Sequence, residues 1–262
     1  MHSDFDSAAA SYDQDFTHSQ IGKLQRQQVY DFLSTKILKD GIPLNILELN
    51  CGTGEDALWL ANMNHQVTAT DISNEMLQQA KSKGNLPNLN FQLLDINKLK
   101  EYPFQSKFNL IFSNFGGLNC LSKPQLKQFF EQAAHLLNSN GSLVLVMMPK
   151  HCLWDKFYHF AKGQWSQMNR RNRPEVVPVN VNGNSVNTWF YNPKEIVYLT
   201  EQHFKCEHMY PVGLAVPPSF LEPFFRNKKG VLSLMAKTDK SLKHFKGLAK
   251  YADHFIMELK LK

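Results

Sequence analysis

Leu47-Glu48-Leu49-Asn50-Cys51-Gly52-Thr53-Gly54-Glu55-Asp56-Ala57 joins an apolar strand to a helix through a glycine turn. Gly52 and Gly54 lack a Cβ, so the backbone there can adopt positive φ and approach a ligand closely, and the next helix offers unpaired N–H groups. Such a turn cradles nucleotides. Gly52, Gly54 and Ala57 alone would fit a dinucleotide-binding turn equally well, so an adenosine-containing ligand is the first expectation and its chemistry stays open.

The strands that follow narrow it. Val67-Thr68-Ala69-Thr70 is β-branched and ends at Asp71, a carboxylate placed where a ribose diol lies in such folds. Leu89-Asn90-Phe91-Gln92-Leu93-Leu94 reads as a third strand and ends at Asp95. Three successive strands therefore deliver a glycine turn or an acid at their C-terminal ends, and a dinucleotide fold accounts for only two.

Glu48-Leu49-Asn50-Cys51-Gly52-Thr53-Gly54, Asp71-Ile72-Ser73-Asn74-Glu75-Met76-Leu77 and Leu94-Asp95-Ile96 together resemble the class I, Rossmann-like S-adenosylmethionine-dependent methyltransferases, most of all their small-molecule and quinone-biosynthesis branch. The resemblance runs from Tyr12 to Met148. It implies that S-adenosylmethionine is bound and S-adenosylhomocysteine released. Gly52 and Gly54 would lie along the methionine part, Asp71 at the ribose, Asp95 at the adenine amine, and Ile72 and Ile96 at the adenine ring. Glu48, Asn50, Cys51, Met76, Ser113 and Asn114 complete the implied cofactor set. Asn50 departs from the family pattern, which has glycine there. Asparagine is a non-glycine residue that enters left-handed conformations readily, yet its side chain takes up space beside the cofactor. Ser11-Tyr12-Asp13-Gln14-Asp15-Phe16 resembles the family's cofactor-covering lead, which assigns Tyr12 and Phe16 to that cover, within a covering segment 1–20. A cation–π contribution of ~0.5–2 kcal/mol near a sulfonium is a reason for an aromatic residue there.

Alternating strands and helices from Leu44 to Met148 call for α/β architecture with a doubly wound, mostly parallel sheet, and the resemblance implies seven strands in all with an antiparallel last strand. Val29, Phe32, Leu33 and Ile37 recur at helical spacing before the first strand, and Ser73 caps a helix through Met76, Leu77 and Ala80. Phe108 to Ser113 is the fourth strand. Ser122 and Pro124 open the next helix, Asn140-Gly141 ends it, and Ser142 to Met148 forms the fifth strand. Segment 150–192 is too long for an ordinary connection and reads as an inserted lid. Within it Trp154, Phe157, Tyr158 and Ala161 form a helical stripe, and Val176 to Tyr191 reads as a hairpin turning near Asn182-Gly183. A helix from Lys194 to His203 and final strands Cys206 to Val212 and His254 to Leu261 complete one domain over 1–262.

Composition sets outer limits. With 262 residues and 43% hydrophobic content the chain can bury a full core. No run approaches the ~18 apolar residues of a membrane span, and the N-terminus lacks the features of a secretion signal, so a cytoplasmic location is expected. Cys51, Cys120, Cys152 and Cys206 lack metal-ligand spacing, so neither zinc nor disulfides are expected. The net charge of +6 concentrates near Arg170-Arg171-Asn172-Arg173 and from Lys228 to Lys250. A solvated face explains it better than a nucleic-acid track, and no nucleic-acid partner is expected.

Transfer from a sulfonium needs mainly alignment, which can supply ~7–11 kcal/mol of barrier reduction, so catalytic groups leave little trace in sequence. For an acidic hydroxyl acceptor a base helps, and His18, His151 and Tyr191 are chemically suitable; Asn114 and Asn119 sit on the loop after the fourth strand, where the family places reacting groups. Ser113-Asn114-Phe115-Gly116 is not the motif of amino-directed nucleic-acid enzymes, no Pro-Cys nucleophile follows, and no carboxylates on that loop would hold Mg²⁺. The expectation is metal-free methylation of a small molecule, on oxygen of a phenol or carboxyl. A catalytically silent cofactor-binding protein and a nicotinamide dehydrogenase are the rival readings.

Overall fold

The computed structural model describes residues 5–181 and 184–262. Seven strands form the main sheet: β1 Asn45–Leu49, β2 Gln66–Asp71, β3 Leu89–Leu93, β4 Phe108–Ser113, β5 Leu137–Met147, and, after a separate hairpin of β6 Val177–Val181 and β7 Asn184–Thr188, β8 Phe204–Val212 and β9 His254–Leu261. Their order is β3-β2-β1-β4-β5-β9-β8, with only β9 running against the others. This is the doubly wound sheet expected from the alternation of elements.

Strand residues feed two cores by turns. Leu47, Leu49, Ile111, Leu143 and Leu145 point to one face, where they meet Phe129, Phe130 and Ala133 of the helix Lys123–Leu136. Ile46, Leu110, Phe112, Val144 and Val146 point to the other, against Val29 and Phe32 of the helix Gln20–Phe32 and Leu60 of the helix Glu55–Asn62. Strands buried on both faces must be apolar throughout, which is why β4 and β5 read as runs and not as alternations. Each fully buried Leu, Ile or Phe contributes roughly 1.5–3 kcal/mol.

Caps fix where the helices start. Ser19 accepts from the Gly22 N–H at 2.9 Å, Ser73 from the Met76 N–H at 3.1 Å, and Ser122 with Gln125 forms a capping box. One expected boundary is wrong: the helix stops at Leu136 and Asn140-Gly141 lies inside β5. The β4–β5 register shifts between Phe108↔Leu137 and Leu110↔Ser142, so this stretch bulges from the ladder. A bulge and a helix stop share the same turn-forming residues, and local sequence does not separate them. The helix after the insertion runs Pro193–Thr200, short of His203. The hairpin is present, while its turn at Asn182-Gly183 lies outside the described residues, as do Met1 to Asp4. Among the described residues no helix is long and apolar enough to cross a membrane.

The strand order reverses between β1 and β4. A crevice at the C-terminal ends of parallel strands is expected at such a switch point. Because β9 is antiparallel, its first residues reach the same edge: Phe255 pairs with Met147 at the end of β5.

Candidate cofactor and acceptor site

A cavity of about 920 Å³ opens at that edge, lined by Asn50, Gly52, Asp71, Ile72, Met76, Asp95 and Ile96 on one side. Residues of segment 150–192 and of the β8–β9 connection line the other side.

The glycine turn is built for close approach. Gly52 has φ +53°, and a Cβ on it would meet nothing within 4 Å, so its exposed face is open to a ligand. Gly54, at φ +76°, serves packing instead: a Cβ there would lie 2.8 Å from that of Ala80. Asn50 adopts φ 48°. Its side chain is turned into the wall, donating to the Asn114 carbonyl at 3.0 Å and accepting from the Ser113 hydroxyl at 2.6 Å. The asparagine that replaces the family's glycine thus ties β1 to β4.

Asp71 accepts the Gly52 N–H at 2.8 Å on one oxygen and the Ser73 N–H at 2.9 Å on the other. Burial lifts its carboxyl above the ordinary range, and these amides only partly oppose that. Each oxygen keeps a lone pair for a hydroxyl donor. Asp95 accepts from Asn97 through one oxygen, which caps the turn after β3 and leaves the other oxygen at the cavity edge.

The N-terminal segment crosses over this turn. Asp13 accepts from the Thr53 hydroxyl at 2.6 Å and pairs with Lys83 at 2.6 Å. Burial would raise the Asp13 carboxyl, but these bonds outweigh it and hold it below its usual value. The strap brings Tyr12 and Phe16 to the cavity. Burial pushes the Tyr12 hydroxyl up to about 12, so it stays a neutral phenol. Phe16 meets Phe115 edge-on at 4.8 Å, and the Arg26 guanidinium lies 5.1 Å from the Phe115 ring. Arg26 pairs with Asp56, which also accepts from Tyr30 and from the Asn114 amide at 2.8 Å each.

Several expected site residues stand back from the cavity. Glu48, Cys51, Gly54 and Ser113 do not line it. Glu48 is 1% exposed, with Oε2 unpartnered. Burial first, and then the negative charge of Asp56, push its carboxyl well above the ordinary value. Of the suggested catalytic groups only Asn114 lines the cavity. Its side chain is already committed, donating to Asp56 and accepting the Phe115 N–H at 2.9 Å. Asn119 is fully buried and braces three elements, donating to the Met148 and Trp189 carbonyls and accepting from the Met148 N–H. Tyr191 donates to the Leu121 carbonyl at 2.6 Å from the core, His151 lies beside Asn192, and His18 is exposed.

The residues missed from sequence are Asp253 and His254. His254 lines the cavity edge-on to Phe115 at 5.5 Å, and its Nδ1 lies 3.3 Å from Asp253 Oδ2. Asp253 is buried, accepts from Arg171 at 3.2 Å and from Gln25 at 3.2 Å, and is held well below the usual carboxylate range. Burial alone would raise it; His254 and Arg171 reverse the sign. An acid–histidine pair at the start of the last strand was the available signal, and only the antiparallel return of β9 gives it meaning.

A Gly52 face with room for a ligand, a buried carboxylate with free lone pairs at the next strand tip and apolar Ile72 and Ile96 beside it suit an adenosyl group attached to an amino acid. Residues 46–141 match the family model described as "Methyltransferase domain". Among curated proteins, the malonyl-[acyl-carrier protein] O-methyltransferase of Bacillus anthracis is 32% identical over 146 residues, covering 53% of this chain and 49% of that one. The chain thus spans about half the length of the curated relatives it matches. Among solved structures, magnesium protoporphyrin IX methyltransferase from Synechocystis with bound S-adenosylhomocysteine superposes with TM-score 0.63 at 14% identity, covering 98% of this chain and 96% of that one. The CcbJ methyltransferase from Streptomyces caelestis gives 0.62 at 13%, covering 97% and 95%. At these identities the structural likeness shows the fold.

Proposed function

We propose that the protein transfers a methyl group from S-adenosylmethionine to an oxygen of a small molecule, and that His254 is the base that accepts the proton of an acceptor hydroxyl. When bound, S-adenosylmethionine supplies an electrophilic methyl on a positively charged sulfur. Gly52 offers its open backbone face to the methionine part, Asp71 accepts the ribose hydroxyls, and Asp95 with Ile72 and Ile96 holds the adenine. Tyr12 and Phe16, strapped down through Asp13, cover the site and exclude water. Segment 150–192 acts as the lid, with Thr188, Trp189 and Phe190 facing the acceptor space.

One observation carries the acceptor assignment: the His254 imidazole lies in the cavity wall with Asp253 behind its Nδ1. A carboxylate that close would stabilise the imidazolium once the proton arrives. A carboxyl acceptor is a second reading, favoured by Arg226, which lines the cavity, and by the relatives that esterify a malonyl group. A carboxylate needs no base, so His254→Asn separates the two. With hydroxyl acceptors kcat should fall about 10²- to 10⁴-fold. Unchanged turnover of hydroxyl acceptors would overturn the role of His254. Calorimetry showing S-adenosylhomocysteine binding without turnover of any oxygen acceptor would favour the silent cofactor binder.

A further inference from the structure

The outer surface beside the cavity mouth is aromatic and cationic. Leu153, Phe157 and Phe160 recur along one side of the helix Leu153–Ala161 and are each at least half exposed; Trp165 extends that stripe, its ring 5.1 Å from Phe160. Phe220 and Phe224 of the neighbouring connection are also exposed. The two segments touch, since Tyr158 meets Phe220 at 5.0 Å and Trp154 meets Phe225 at 6.0 Å. Phe220 also lines the cavity, so the patch is continuous with the mouth.

Charge on this face has one sign. Residues 153–167 and 219–230 carry Lys156, Lys162, Arg226, Lys228 and Lys229 against the acids Asp155 and Glu222. Both acids are turned inward: Asp155 is buried and takes a two-point bond from Arg170, and Glu222 is buried and accepts the N–H groups of Gln20 and Ile21. Lys228 lies 3.1 Å from the Phe224 ring centroid and Lys162 4.8 Å from that of Tyr158, so ammonium groups and rings alternate across the patch. Contiguous exposed apolar patches mark interaction sites. Large aromatic side chains among uncompensated lysines suit the lipid–water interface, where rings enter the acyl boundary and cations meet anionic headgroups. An acidic protein partner could also use both rings and cations, so it is the rival that the test must separate.

We propose that this face docks on an anionic lipid bilayer and presents the cavity mouth to it, so that the acceptor is an amphiphile drawn from the membrane. The docking stands by itself; the acceptor class rests on the methyl-transfer reading. Co-sedimentation with vesicles of phosphatidylcholine, with and without an equal part of phosphatidylglycerol, tests it. The whole chain should bind the anionic vesicles, lose that binding in high salt, and bind the neutral ones weakly. Phe157→Ser with Trp165→Ser should lower vesicle affinity about tenfold or more. Calorimetric binding of S-adenosylhomocysteine should be unchanged in that variant, which shows that it is folded and tests the cofactor reading separately. Absence of binding to anionic vesicles, equal binding by the double variant, or binding to an acidic acyl carrier protein in place of vesicles would each overturn the proposal.

Discussion

Gly117 and Asn50 compete for one space: a Cβ on Gly117 would lie 2.1 Å from Asn50 Cγ. The side chain that stands in for the family's first glycine is thus accommodated by a glycine on the loop after β4. Gly117→Ala should cost about 1–3 kcal/mol by overpacking. In an Asn50→Gly background the same change should cost almost nothing, because the obstructing amide is gone. A double-mutant cycle by urea unfolding measures this coupling. Additive effects would mean that the two residues are independent.

Asp71 is already bonded to two backbone amides, and a ligand's hydroxyls would complete its environment. Asp71→Ala should weaken S-adenosylhomocysteine binding by about 1.5–3 kcal/mol, read by calorimetry. Since burial raises this carboxyl, the parent protein's affinity should begin to fall on acidification at a higher pH than for an ordinary aspartate. Equal affinity of parent and variant would remove Asp71 from the site.

Asp253 has the opposite sign, its carboxyl being depressed. Its contribution to stability is fully present above the unfolded aspartate value of ~3.9 and is lost as pH falls toward the lower folded value. Asp253→Asn, which leaves Arg171 charged and buried, should therefore cost about 3–5 kcal/mol at neutral pH. The difference from the parent should shrink below about pH 4. Urea unfolding across that range checks both statements, and a difference independent of pH would contradict them.

Glu48 is buried with an unpartnered oxygen, and its carboxyl is raised well above the ordinary value. Stability is then highest below the unfolded glutamate value and falls as pH climbs, because only the unfolded chain gives up the proton readily. Glu48→Gln should raise the melting temperature at pH 7 and leave it nearly unchanged at pH 4. A lower melting temperature at pH 7 would mean that an ionised Glu48 works as a partner of Arg26.

The glycine turn and the two strand-end aspartates that line the cavity were legible because they are local features. A glycine turn, an aspartate closing β2 and another closing β3 announce themselves within a few residues, and parallel strands bring them to one edge. Bracing is an open alternative for Asn119 from sequence, but its partner Trp189 and the Leu121 partner of Tyr191 each lie 70 residues away, so local sequence does not identify them. The acceptor half was not legible for the same reason. Arg171 reaches Asp253 across 82 residues and Gln25 reaches it across 228. His18 and His151 carried the same side chain as His254 and a comparable local setting; the direction of β9 separates them.

Asp253 also limits how the molecule can be rebuilt. Its carboxylate receives Gln25 from the N-terminal helix and Arg171 from the insertion, while His254 adjoins it in the chain. A chimaera that imports another methyltransferase's insertion would have to supply a guanidinium at the place of Arg171. Without one, the exchange would leave the Asp253 carboxylate without its guanidinium partner and disturb the wall of the cavity beside His254.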